Sequence, residues 1–237
     1  MRTAWNVVTL MADVFISGGT GYIGRDLIPQ LLARGHTVRS IIQRGSERKL
    51  PPGCLATAGD ALEAATFGDA IAPADTFVHL TGTPKPAPWK ERQFRTIDLV
   101  SLKASVDAAV RSGSIRHFTY VSVAHPAPIM RSDIAVRQEC EEYIARHVVA
   151  RTILRPWYVL WPGHWWPYAL KPLYALALRS AKHSESAGRL GLVTLKEMTA
   201  ALVQAIENPP SGPRIVDVAG IRAAREGRLG ATRPADS

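Results

Sequence analysis

The sequence predicts a doubly wound parallel α/β sheet of the Rossmann type with a small C-terminal substrate lobe, and three observations carry that prediction. Apolar strand patterns alternate with helical ones along most of the chain. The first strand, "ADVFIS", runs directly into a glycine cluster and then an amphipathic helix. No internal repeat or low-complexity linker interrupts the alternation. At 237 residues, 46% apolar and 21% charged, the chain is long enough and apolar enough to bury one full core.

Each element has its own signal. "ADVFISG" reads as a buried strand, and "GYIGRDLIPQLLARGH" places Ile23, Leu27 and Leu31 on one helical face with Gly35 as the stop. Pro29 lies inside that helix and is expected to remove one backbone hydrogen bond and bend it. "HTVRSIIQR" is a second strand, "LEAATFGDAIA" a short helix and "DTFVHLTG" a third strand. "TIDLVSLKASVDAAVRSG" is a long amphipathic helix with Leu99, Leu102, Val106 and Val110 near one face, feeding the strand "IRHFTYVSV". "RQECEEYIARH" then makes a helix and "ARTILRP" a strand. Residues 1–10 are expected to be an extension, 11–221 the dinucleotide-binding body with an aromatic-rich lobe at about 157–195, and 222–237 a disordered tail.

Composition narrows the function classes. The two cysteines, Cys54 and Cys140, lie far apart without CxxC pairing, which points away from disulfide scaffolds and zinc sites and towards a reducing cytoplasm. The formal charge is +9, but Arg2, Arg222, Arg225, Arg228 and Arg233 against Glu226 and Asp236 place +3 of it in the two end segments. No reading helix and no interleaving of aromatic with basic residues suggests nucleic acid. His79, His117 and His164 lack metal-ligand spacing and read as structural, so no metal site is expected.

The glycine cluster "SGGTGYIG" explains itself physically. A parallel strand turning straight into a helix presents unpaired N–H groups where the helix dipole favours an anion. Gly18 permits the tight turn, Gly21 lets a diphosphate approach the backbone, and Gly24 lets the helix pack closely, in a GxxGxxG spacing. Thr20, Tyr22 and Ile23 complete that loop. Beyond the second strand the chain offers Gln43 and Arg44, with Arg39, Arg48 and Lys49 nearby, and no acid. An arginine there suits the 2′-phosphate of NADP(H), and NAD is the less favoured cofactor. A solvated basic loop without ligand is the competing reading.

"GGTGYIG" after a first strand, Gly59-Asp60, "HLTG", "YVSVAHP" and "LRPWYVLWPG", in that order, resemble the atypical short-chain dehydrogenase/reductase superfamily. The likeness is greatest to its NAD(P)H-binding, NmrA-like branch and to relatives of the 39 kDa subunit of respiratory complex I, and it runs from about Ala12 to about Ile221. The resemblance implies that Arg44 selects the cofactor, that Asp60 and Ala61 touch adenine, and that Thr81 and Gly82 lie along the adenosine half. It implies further that Ser122 faces the nicotinamide and that Pro156 and Tyr158 border its pocket.

The same resemblance exposes a departure. Members that reduce carbonyls or epimerise sugars carry Tyr-x-x-x-Lys on the helix after the fifth strand, where the cation helps the phenol shuttle a proton. Here Asp133 and Arg137 stand at that spacing. Arg137 is able to hold a nicotinamide ribose as a donor but not to relay a proton as lysine does, and a surface i, i+4 ion pair is the plainer alternative. Tyr143 fits no family position. No catalytic residue is therefore assigned.

"WYVLWPGHWW" crowds five aromatic residues into ten positions, and residues 156–170 carry no formal charge. The segment is too short to span a bilayer and is broken by Pro162, Gly163 and Pro167. It reads as an aromatic-lined substrate pocket, with an exposed patch for a partner protein or a membrane surface as the alternative. The sequence thus supports an NADP(H)-dependent oxidoreductase acting on a small molecule it does not name. The alternative is a non-catalytic dinucleotide-binding redox sensor or assembly partner.

Overall fold

The computed structural model describes residues 11–83, 87–125, 130–160 and 191–224. In chain order its strands are β1 (Asp13–Ser17), β2 (Thr37–Ile42), β3 (Leu55–Ala58), β4 (Thr76–His79), β5 (His117–Val121), β6 (Arg151–Leu154), β7 (Tyr158–Leu160), β8 (Leu192–Thr194) and β9 (Pro213–Val216). The helices are α1 (Tyr22–Ala33), the single turn α2 (Glu91–Gln93), α3 (Val100–Ser112), α4 (Arg131–His147), α5 (Leu195–Glu207) and α6 (Val218–Ala223).

Seven strands form one sheet in the order β3-β2-β1-β4-β5-β6-β9, and every neighbouring pair is parallel. This is a Rossmann-like α/β fold. β1 is flanked by β2 and β4, so the winding reverses there and a crevice opens at the carboxyl ends of the strands. The uncharged stretch at 156–170 lies mostly outside the described residues; β7, near its start, pairs in parallel with β8 as a separate two-stranded sheet.

The pleat sends successive residues of each central strand to opposite faces. Val14 and Ile16 pack with Leu27, Ile28 and Leu31 of α1 and Leu202 of α5. Phe15 joins Phe77, Phe118, Leu102 and Ile144 on the other face, under α3 and α4. Phe77 stacks on Phe118 with centroids 5.1 Å apart and tilts against Phe15 at 5.4 Å. With both faces covered, the central strands read as continuous apolar runs. Pro29 sits within α1 on its exposed side, so the carbonyl it leaves without a donor faces water.

Several expectations shift. The short helix at "LEAATFGDAIA" is two 3-10 turns, Ala64–Thr66 and Gly68–Ala70. Thr66 Oγ1 donates to the carbonyls of Glu63 and Asp60, which closes the first turn early. The long helix begins at α2 and passes through a π-helical segment, Phe94–Leu99, before α3. The folded body extends past residue 221, because α6 continues to Ala223 and Arg222 donates to the Leu192 carbonyl from Nε and Nη2; residues 1–10 and 225–237, expected as extension and tail, lie outside the described residues. Among the described residues no helix is long and apolar enough to cross a membrane.

Candidate functional site

The turn between β1 and α1 uses each glycine for a different reason. Gly18 adopts φ +84°, and a Cβ there would lie 2.7 Å from the Leu80 carbonyl carbon and 2.8 Å from Thr81 N. A side chain at Gly19 would run into Ser40, and one at Gly24 would stand 2.5 Å from Gly19 Cα. Gly21 differs. Its φ of −71° suits any residue, and a Cβ there meets only Gly18 O, at 3.1 Å. What glycine supplies at position 21 is room above the helix terminus.

That terminus is prepared for an anion. Gly21 is the N-cap of α1, no side chain caps it, and the first turn holds no acid. The turn closes on itself through Gly21 N donating to Gly18 O at 3.0 Å. Beneath it, Ser17 Oγ and Ser105 Oγ both meet His79 Nδ1, at 2.9 and 3.0 Å. Burial, helped by the nearby Arg137 charge, pushes His79 down to about 3, so this tie is neutral.

The expected rim residues gather at the same edge of the sheet. Arg44 is exposed just past β2, while Arg39 is spent on the carbonyls of Ala70 and Ala72. Asp60, past β3, accepts from Leu62 N at 2.9 Å, which shapes the turn leading to Ala61. Past β4, Thr81 Oγ1 is buried with no hydrogen-bond partner among the described residues, and Gly82 lies against the next network, its Cβ position 3.0 Å from Asp98 Oδ1. A glycine cradle with open space, an uncapped helix end, an orphaned hydroxyl and an exposed arginine together fit a phosphorylated nucleotide.

α4 contributes two buried charge networks. Arg137 donates to Asp98 Oδ1 at 2.5 Å, to Tyr120 OH at 3.1 Å, to the Val121 carbonyl at 3.3 Å and to Asp133 Oδ1 at 3.5 Å. Asp98 also accepts from Thr83 N at 2.9 Å and from Thr83 Oγ1. Burial alone would lower Arg137, but Tyr120, Asp98 and Asp133 hold it well above the usual guanidinium range. Burial raises Asp133, opposed by Arg137 and reinforced by Asp98. The pair at 133 and 137 is therefore interior, not the surface ion pair that helix spacing alone allows.

The second network lies one turn further along. Ser122 Oγ donates to Glu141 Oε1 at 2.5 Å. Arg155 grips the same carboxylate with both Nε, at 3.1 Å, and Nη2. Burial would raise Glu141, but His125, Arg155 and Ser122 hold it below the usual carboxylate range. The Ser122 hydroxyl thus points into α4. Pro156 accepts from Ala124 N at 2.9 Å, which ties the two strand ends together. Tyr22, the first residue of α1, is pushed up to about 12 by burial and by the neighbouring Tyr158, with Arg137 opposing, so the two phenols are neighbours at the start of that helix.

Asp98, Tyr120, Glu141 and Arg155 were not among the sequence candidates. Asp98 stands in a helical pattern whose π-helical register no periodicity reveals, and the spacing of "YVSV" to "QECEE" gives no hint that Ser122 meets Glu141.

The NAD(P)H-binding family matches residues 18–161 of the chain. A 3-beta-hydroxysteroid dehydrogenase of Mycolicibacterium neoaurum is 27% identical over 121 residues, covering 48% of this chain and 32% of its own. The matched region thus spans about a third of that relative's length. Among solved structures, the Bordetella bronchiseptica enzyme WbmH in complex with NAD+ superposes with a TM-score of 0.66 at 22% identity, over 88% of this chain and 76% of that one. A short-chain dehydrogenase/reductase superfamily protein from Agrobacterium tumefaciens with bound NAD gives 0.62 at 18% identity, over 90% and 83%. These likenesses establish the fold.

Proposed function

The chain belongs to the NAD(P)H-binding family, and from that premise we propose that it is an NADP(H)-dependent oxidoreductase. The observation that carries the reading is the uncapped β1–α1 turn, with open space at Gly21, at the switch point of the sheet. The backbone N–H groups of Ile23 and Gly24 would face a diphosphate there, with Thr81 Oγ1 at its flank.

The preference for NADP(H) rests on Arg44. It stands exposed where an acid would be needed to accept a ribose 2′-hydroxyl, and a guanidinium makes a charge-assisted fork with a 2′-phosphate. Asp60 and Ala61 would border adenine, and Gly82, Pro156 and Tyr158 the remaining wall, with Ser122 contributing only its backbone because its hydroxyl is held by Glu141. Bound cofactor would supply the hydride, a chemistry that needs mainly positioning from the protein. The proton is a separate matter, because α4 has Asp133 where a phenol would stand. Tyr158, half-buried beside Tyr22, is the first candidate to supply it.

One observation favours a second reading. Among the described residues four hydrogen bonds occupy the Arg137 guanidinium, which leaves one of its five N–H groups for any ribose. A module that binds the dinucleotide and reports its redox state without turnover fits such an arginine. NADPH oxidation across panels of carbonyls, steroid ketones included, and quinones separates the two. Turnover of any of them supports the oxidoreductase, and tight NADPH binding with no turnover supports the sensor.

A further inference from the structure

We infer that Arg137 and Asp98 are positioning residues for the nucleotide turn: the buried pair clamps Gly82 and Thr83, and the Leu80–Thr81 peptide that leads into them is the wall against which Gly18 is seated. The inference rests on the proposed dinucleotide site and goes beyond it, because it gives α4 a part in cofactor affinity without direct contact.

The chain of contacts is short. Asp98 holds Thr83 by both its N–H and its hydroxyl, and Arg137 holds Asp98 at 2.5 Å. Gly82 passes so close to the pair that a Cβ would lie 3.0 Å from Asp98 Oδ1 and 3.1 Å from Arg137 Nη2. Two residues earlier, the Leu80–Thr81 peptide presses on the turn, leaving 2.7 Å for a Cβ at Gly18. The clamp is anchored at its far end by Tyr120 OH and the Val121 carbonyl of β5, both held by Arg137 Nη1. With Asp98 1% exposed and Thr83 6% exposed, solvent has little room to replace any of these bonds. Loosening the pair therefore frees Gly82 and Thr83, and with them the Leu80–Thr81 wall that seats the diphosphate turn.

The test is NADPH affinity, read by ligand fluorescence, for the wild-type chain and for Arg137→Met, Arg137→Lys and Thr83→Val, each checked for folding by circular dichroism. Arg137→Met keeps the length and loses the donors, and binding is expected to weaken roughly 3- to 30-fold. Arg137→Lys, which keeps the charge opposite Asp98, is expected to recover a substantial part of that loss. A purely structural role would lower stability in both without this graded recovery in affinity. If Arg137→Met fails to fold, Thr83→Val decides, since it deletes a single hydroxyl bond and keeps the side-chain shape. Unchanged NADPH affinity in folded Arg137→Met, or in Thr83→Val when Arg137→Met does not fold, overturns the inference and leaves the dinucleotide site standing. A wild-type chain that binds no dinucleotide overturns the site reading and this inference with it.

Discussion

Arg137 is closer to Asp98, at 2.5 Å, than to Asp133 four residues before it on the same helix, at 3.5 Å. The arginine is thus turned inward, towards the π-helical segment ahead of α3 and the end of β5. An arginine fixed in this way sets the β4 and β5 strand ends and has little left for proton chemistry.

Carbonyl reduction should accordingly be slow. General acid assistance is worth roughly 100- to 10,000-fold, and simple aldehydes and ketones are expected to oxidise NADPH at rates lowered by about that factor relative to a Tyr-x-x-x-Lys site. Asp133→Ala is expected to leave the residual rate unchanged. A tenfold or greater loss in that variant, measured at saturating NADPH, would assign the proton to Asp133.

The glycines of the turn should separate stability from binding. Gly24→Ala forces a Cβ to within 2.5 Å of Gly19 Cα and is expected to cost about 1–3 kcal/mol of stability. At Gly21 an added Cβ meets only Gly18 O, at 3.1 Å, so Gly21→Val should cost the fold less than Gly24→Ala, about 1 kcal/mol for a branched residue at the N-cap, while dinucleotide binding is lost. Thermal unfolding and calorimetric titration of the two variants check this, and tight binding by folded Gly21→Val would reduce the loop to a plain turn.

The chain should also lose stability in acid through its buried histidines. Burial, with Arg137 adding to it, holds His79 down to about 3; burial, with Arg214 adding to it, holds His117 down to about 4. Both bind a proton more readily unfolded, near ~6.5, than folded. Their contribution is therefore fully present above ~6.5 and is lost as pH falls from there towards 4, by on the order of 1.4 kcal/mol per pH unit for each histidine. Denaturant midpoints at pH 7, 6 and 5 should fall in that order, and His79→Gln should flatten the slope. An identical slope in that variant would contradict the account of His79.

Much of the fold was legible because the central strands are apolar on both faces. Phe15 and Ile16, Phe77 and Val78, and Phe118 serve two packed layers at once, and such runs stand out in a sequence. The edge strands were not legible. β3 reads "LATA" and is largely exposed, and β9 begins with a proline, so neither carries a periodic apolar signal. α5 could have been found from its capping box, Thr194 with Glu197 three residues later. At the site, the glycine turn and Arg44 follow from local chemistry. The inward turn of Arg137 depends on Asp98, which sits on a separate helix in an irregular register, and helix spacing alone pairs the arginine with Asp133 instead.

The central claim is that this turn and Arg44 hold NADP(H). The most direct measurement is a parallel titration of NADPH and NADH into the wild-type chain and Arg44→Asp. Tighter binding of NADPH by the wild type, with the order reversed in Arg44→Asp, is the predicted result; loss of the charge-assisted contact should weaken NADPH roughly 10- to 100-fold. Equal affinity for the two cofactors in the wild type, or binding of neither, would contradict it.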